Sequence, residues 1–244
     1  MKAPVSEQRS LLELQAADTR LAQLNHKAKN LPQQKRLDEL AGQIGAVSHR
    51  LAAVNGELED AQLEISRVES DVEVVATRMK RDRSRLETSS STKDIQGLEH
   101  EIASLEKRQS DLEDIELAVM ERIDDINARL ALVTEEIGIF TAERDALQTD
   151  RDAALAEITH ERAGVQVSRD LIAGGIGDEL LALYNRQRER YGIGAALLTR
   201  GISMGSNVKL HESDLAKIRL AAPDDVVLDP DSSCILVRTE ESGL

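Results

Sequence analysis

From Leu37 onward the apolar residues fall three and four apart without a miss: Leu37, Leu40, Ile44, Val47, Leu51, Val54, Leu58, Ala61, Ile65, Val68, Val72, Val75 and Met79. Such a heptad seam restricts the chain to long helices wound on another helix, because the apolar stripe is too narrow to be covered by anything else. A second seam runs from Ile95 to Ile158 through Leu98, Ile102, Leu105, Leu112, Val119, Ile123, Ile126, Leu130, Val133, Ile137, Phe140, Leu147 and Ala154. Its polar members are Gln109, Glu116, Arg144 and Arg151. The two seams mirror each other. Leu86 and Ile95, Met79 and Ile102, Val68 and Leu112, Leu58 and Ile123, Leu51 and Leu130, and Leu40 and Phe140 stand, to within a residue, equally far from a point between Ser90 and Ser91. The chain is therefore expected to fold back on itself there.

That centre lies inside Thr88-Ser89-Ser90-Ser91-Thr92, a polar run that suits a turn and supplies an N-cap for the returning helix, with Asp94 in its first turn. Toward the N-terminus Leu14, Ala17, Leu21, Leu24, Ala28 and Leu31 carry a heptad out of register with Leu37. A helix break is expected near Pro32, which removes a backbone donor and crowds the preceding turn. If residues 6–86 were otherwise helical, the arm would reach about 120 Å. Gln109 and Glu116, opposite Val72 and Ile65, read as register-fixing residues, with a partner contact as the other reading.

Composition agrees with helices rather than one large globular core. Phe140, Tyr184 and Tyr191 are the only aromatics, and charged residues make up 31% of 244. A net charge of −14 argues against phosphate-backbone binding over the whole surface but leaves room for a local basic patch. No apolar run is long enough for a membrane span and no signal core opens the chain, so a soluble, cytoplasmic protein without a membrane partner is expected. Cys234 is the single cysteine; it reads as a small buried strand residue. The heptads by themselves set no oligomeric state.

Past Val165 the periodicity dissolves. Ala173-Gly174-Gly175-Ile176-Gly177 marks a junction before a short helix, Asp178 to Tyr191. Gly175-x-Gly177 follows a helix and lacks Gly-Lys-Ser/Thr, so it is no nucleotide loop. β-prone pieces follow at about 195–199, 225–228 and 234–239, around a helix near 212–221.

Four stretches there resemble a known family: Gly192-Ile193-Gly194-Ala195-Ala196-Leu197, Glu212-Ser213-Asp214-Leu215-Ala216-Lys217-Ile218-Arg219, Asp225-Val226-Val227 and Ile235-Leu236-Val237-Arg238. So does the tip segment Ser91-Thr92-Lys93-Asp94-Ile95-Gln96-Gly97-Leu98-Glu99-His100-Glu101-Ile102. Together they are similar to the bacterial C4-type zinc-ribbon family with an N-terminal coiled-coil hairpin. The fold this implies is mainly α, a long antiparallel coiled-coil hairpin over 1–172 with a small C-terminal zinc-ribbon-like α+β domain over 173–244. Where the family carries Cys-x-x-Cys twice, this chain has Ser203-Met204-Gly205-Ser206 and Asp229-Pro230-Asp231-Ser232. With Ser203, Ser206, Asp229 and Ser232 in the ligand positions, no zinc and no other cofactor is expected. His211 is isolated, and His26, His49, His100 and His160 are scattered along the arm. In place of metal, burial of Leu197, Leu198, Val208, Leu210, Leu215, Ile218, Val226, Leu228, Ile235 and Val237 would hold the domain.

No nucleophile, base and orienting group fall together, so no enzymatic role is expected. The resemblance implies a binding or adaptor protein, since family members are associated with transcription factors, secretion or flagellar assembly, and nucleic acid. A protein partner is the leading expectation, and nucleic acid the alternative. Two basic groups are candidate contacts: Arg78, Lys80, Arg81, Arg83, Arg85 and Lys93 at the tip, and Arg186, Arg188, Arg190 and Arg200 beside the C-terminal domain. The tip group has three readings: charges that complement a helix end, a protein contact, or a nucleic-acid contact without aromatics for base stacking.

Overall fold

The computed structural model describes residues 1–243. Helix α1 (Val5–Lys29) is followed by α2 (Pro32–Thr88), α3 (Thr92–Gly174) and α4 (Asp178–Tyr191). Then come strands β1 (Ala195–Thr199), β2 (Ile202–Ser203) and β3 (Val208–Lys209), helix α5 (Glu212–Leu220), strands β4 (Val227–Leu228) and β5 (Ile235–Val237), and a 3-10 turn at Glu240–Ser242. Pro32 is the first residue of α2, where its missing N–H costs nothing. At the other end of α2, Ser91 starts α3: its Oγ accepts from the Asp94 N–H at 3.4 Å and its carbonyl from the Ile95 N–H at 2.9 Å. Contacts group the chain into two compact units, Lys35–Thr149 and Met1–Gln34 with Asp150–Leu244. The last part of α3 thus groups with α1 and the C-terminal elements, a different division from one after residue 172.

In the unit Lys35–Thr149, α2 and α3 run antiparallel along the heptad seam. One row of α2, Leu40, Val47, Val54, Ala61, Val68 and Val75, is buried at every heptad, while Ile44, Leu51, Leu58, Ile65 and Val72 are half-buried. A two-helix seam covers one of its two rows fully and leaves the other at the edge. Leu58 and Ile123 pack in one cluster with Val54, Ala61 and Ile126. Ion pairs cross the seam: Arg36–Glu143 at 2.8 Å, Arg50–Glu136 at 2.5 Å, Glu57–Arg129 at 2.5 Å, and Glu64–Arg122. Side chains tilt toward the N-terminus of their own helix, so partners in the last three of these pairs lean toward each other across an antiparallel seam. Exposed pairs of this kind add little stability each; seam burial carries the hairpin.

In the other unit, Leu24 of α1 and Leu31, in the link that follows it, pack on Ile158 of α3. A five-stranded sheet in the order β3-β2-β1-β5-β4 lies beside these helices, with β1 and β5 parallel and the other pairs antiparallel. Strand alternation divides the core into two layers. Ala195, Ile235 and Val237 face Leu11, Leu14, Ile176, Leu180 and Tyr184, whereas Leu198 and Leu236 face Leu210, Leu215 and Ile218. Val208 and Leu228, expected in the core, are instead 48% and 43% exposed, because β3 and β4 are the sheet edges. The β1–β2 hairpin turns on Arg200 and Gly201 with φ of 49° and 76°, a type I′ geometry that glycine adopts without strain.

The N-terminus is tied into this unit as well. Ala3 N–H donates to the Asp224 carbonyl at 2.8 Å, and the Val226 N–H to that of Met1 at 3.1 Å. Arg238 holds the loop after α5 by donating to the carbonyls of Ala221, Ala222 and Asp225 at 3.0, 2.6 and 2.7 Å.

Candidate functional site

The two turns that carry Ser203, Ser206, Asp229 and Ser232 meet, and a carboxylate stands at their centre. Asp229, 1% exposed, accepts through Oδ2 from Ser203 Oγ at 2.5 Å and Ser232 Oγ at 2.6 Å, and through Oδ1 from the Asp231 N–H at 3.0 Å. Ser203 Oγ accepts in turn from the N–H groups of Gly205 and Ser206, at 3.2 and 3.4 Å. Burial pushes the Asp229 carboxyl up, but the bonds from Ser203, Ser232 and the Asp231 backbone outweigh it and hold the group below its ordinary value. This donor set does not fit a structural zinc ion. It offers hydroxyls where thiolates or imidazoles are needed, and both Asp229 oxygens are engaged in hydrogen bonds. Cys234 is fully buried next to it, with its Sγ 3.1 Å from Ser232 Oγ, and has its thiol pushed up by burial and by the Asp229 charge.

The six basic residues of the tip divide by partner. Arg78 binds Glu101 and Arg83 binds Glu106 at 2.7 Å, across the hairpin. Arg81 and Arg85 stand 3.8 and 3.6 Å from the carboxylate of Asp82, while Lys80 and Lys93 are exposed. Asp82 occupies the next place in the buried row after Val75, at 1% exposure, and neither of its oxygens takes a hydrogen bond. A polar residue three after Met79 and four before Leu86 was the available sequence signal.

Of the second basic group, Arg186 and Arg200 are exposed, Arg190 lies over the Tyr191 ring at 5.3 Å, and Arg188 turns inward. Arg188 and Arg169 reach one oxygen of Asp18 at 3.3 and 3.2 Å, and the Tyr184 hydroxyl donates to the other at 2.8 Å. Gln15 joins them: its Oε1 accepts from the Gly194 N–H at 2.8 Å and lies 3.3 Å from the Tyr184 hydroxyl oxygen. Gly194 passes so close to the Tyr184 ring that a Cβ there would sit 2.4 Å from it. Burial, then the bond to Asp18, pushes the Tyr184 phenol far above its ordinary value, so it stays a donor. Asp18 sits on the buried face of α1 with Leu11, Leu14 and Leu21. That apolar row with one acid in it was the sequence sign of this knot.

The hairpin geometry is shared with known proteins. Residues 14–192 match the CT398-like coiled coil hairpin domain. The chain belongs to that family. The "Uncharacterized protein Rv2229c" of Mycobacterium tuberculosis is 37% identical over 242 residues, covering 98% of both chains. A solved structure from Mycobacterium smegmatis superposes with a TM-score of 0.87 at 38% identity, over 98% of this chain and 100% of that one. CT398 from Chlamydia trachomatis gives 0.66 at 16% identity, over 95% and 97%, a likeness of fold alone. The match to the CT398-like domain takes in the hairpin, α4 and the Asp18 knot and ends before β1. The Asp229 centre thus lies outside the matched residues. No helix among the described residues is long and apolar enough to cross a membrane.

Proposed function

We propose that this CT398-like hairpin protein is a non-catalytic cytoplasmic adaptor that holds a macromolecular protein partner on its coiled coil. The observation that carries the reading is the outer surface of the unit Lys35–Thr149. With the seam closed on itself, Leu63, Val74, Leu117, Leu132 and Ile139 remain between 57% and 67% exposed. Leu132 and Ile139 are one heptad apart and so share a stripe of α3, where a partner helix gains by covering them. The zinc-ribbon resemblance of the C-terminal domain supports the same class of role, with the Asp229 centre replacing the metal as the staple. Affinity capture with the full chain and with Leu132→Glu/Ile139→Glu tests the adaptor reading. A partner retained by the wild type after nuclease treatment and lost with the double variant supports it; the same partners on both chains overturn it.

A second reading, nucleic-acid binding at the tip, rests on Lys80, Arg81, Arg85 and Lys93, none of which hydrogen-bonds a carboxylate among the described residues. It requires affinity for RNA or DNA that falls steeply with salt and is lost on changing Arg81, Arg83 and Arg85 together to Glu. Absence of binding at low salt eliminates it.

A further inference from the structure

Between α1, α3 and α4, on the flank of the Asp18 knot, lies a pocket of about 540 Å3. That volume falls within the range of small-ligand sites. Its charged lining is Arg162, Arg169, Arg188 and Asp18, with Asn25 and Gln166 as neutral donors and acceptors. Three guanidiniums thus face one carboxylate, in a chain whose net charge is −14.

The carboxylate is already committed. One Asp18 oxygen accepts from Tyr184 and the other is shared by Arg169 and Arg188. Arg169 is further held by Asp170 at 3.6 Å and by Asn185 at 3.4 Å. Arg162 pairs with no acid among the described residues; it donates to the neutral Asn25 Oδ1 at 3.3 Å. The knot fixes two of the three cations in place before any ligand arrives, and this preorganisation lowers the cost of binding.

We propose that this pocket binds a phosphoryl group, the dianionic phosphomonoester of a small molecule or of a lipid headgroup. Three guanidiniums set against Asp18 and the Asp170 that holds Arg169 leave one net positive charge, and a phosphomonoester, with three oxygens to share among the guanidiniums, engages them more fully than a single carboxylate. Guanidinium forks suit its oxygens in pairs. A nucleic-acid backbone, with one charge per phosphate, calls for a continuous basic track, whereas this site is a closed patch of three arginines. The inference stands apart from the adaptor reading, since it uses none of the hairpin's outer residues.

Isothermal titration of the full chain with inorganic phosphate, and sedimentation with vesicles containing phosphatidic acid or only phosphatidylcholine, test it. The expected result is one phosphate per chain, stronger at pH 8 than at pH 6 as the dianion forms. Arg162→Gln should weaken it by about tenfold or more, the loss expected for one charged hydrogen-bonding partner. Gln166→Glu, a second exposed position, should do the same by adding a negative charge. Binding to phosphatidic-acid vesicles that depends on Arg162 assigns the group to a lipid; binding of phosphate with no vesicle capture assigns it to a soluble ligand. If neither probe binds, or if both variants bind as the wild type while their circular dichroism is unchanged, the proposal is overturned.

Discussion

Asp18 and Asp82 are both buried on the apolar face of a helix, at 2% and 1% exposure, and both have arginines around them. They differ in what they are given. Asp18 receives a tyrosine hydroxyl and two guanidiniums at hydrogen-bonding distance, from α3 and α4. Asp82 sits in a two-helix seam, and the three arginines beside it, Arg78, Arg81 and Arg85, come from its own helix and stop 3.6 to 3.9 Å away. A buried carboxylate stabilises a fold only when its neighbours replace the water it lost. Three layers of structure can surround an acid with donors, and a pair of helices cannot.

The largest effect should therefore come from Asp18→Ala. It leaves Arg169, Arg188 and Tyr184 without their shared acceptor, and urea denaturation should show a loss of about 3–5 kcal/mol. A loss no greater than that of an exposed substitution would mean the knot is not what ties α1 to α4.

Next comes Asp229→Asn, which keeps the shape of the staple but removes its charge. A loss of about 2 kcal/mol is expected, from weakened bonds to Ser203 and Ser232. The effect also depends on pH. The carboxyl has a lower pKa folded than unfolded, so its contribution is complete above the unfolded value of about 3.9 and disappears as pH falls through the folded value. Denaturation midpoints of wild type and variant should thus differ at pH 7 and converge in strong acid. A constant difference would show that the carboxylate is not the group responsible.

Asp82→Leu should act in the opposite direction. Filling the buried row with an apolar side chain is expected to stabilise the hairpin by about 1–2 kcal/mol, read as a higher thermal midpoint. A destabilised variant would show that the arginines at 3.6 to 3.9 Å hold the carboxylate more strongly than their distances indicate. The smallest change is expected from Arg50→Gln, which breaks an exposed cross-hairpin pair with Glu136. Its midpoint should lie nearer to that of the wild type than any of the other three.

The regions differ equally in how far they could be read from the sequence. The hairpin was legible because each seam is a local repeat, and the mirror relation of the two repeats puts Leu58 with Ile123, which share a cluster. Strands β1 and β5 were also visible as short β-prone runs. The two-residue strands β2 and β3 were not, since Ile202–Ser203 and Val208–Lys209 are too short to show alternation. The basic groups were legible as clusters but not as surfaces. Whether Arg83 meets Glu106, or Arg188 meets Asp18, depends on residues from other helices.

The sequence alone determined that α2 and α3 would be long, antiparallel and paired in one register, because a heptad needs only its own period and a turn at the centre of its mirror. It also determined that positions 203, 206, 229 and 232 lack thiols. Tertiary structure alone decided which buried polar groups are satisfied. Asp18 is matched by residues more than a hundred positions away, and Asp229 gathers hydroxyls from both turns. Hydrogen bonds act over about 3 Å in space whatever the separation along the chain, so their partners follow from the packing of elements and not from any local pattern.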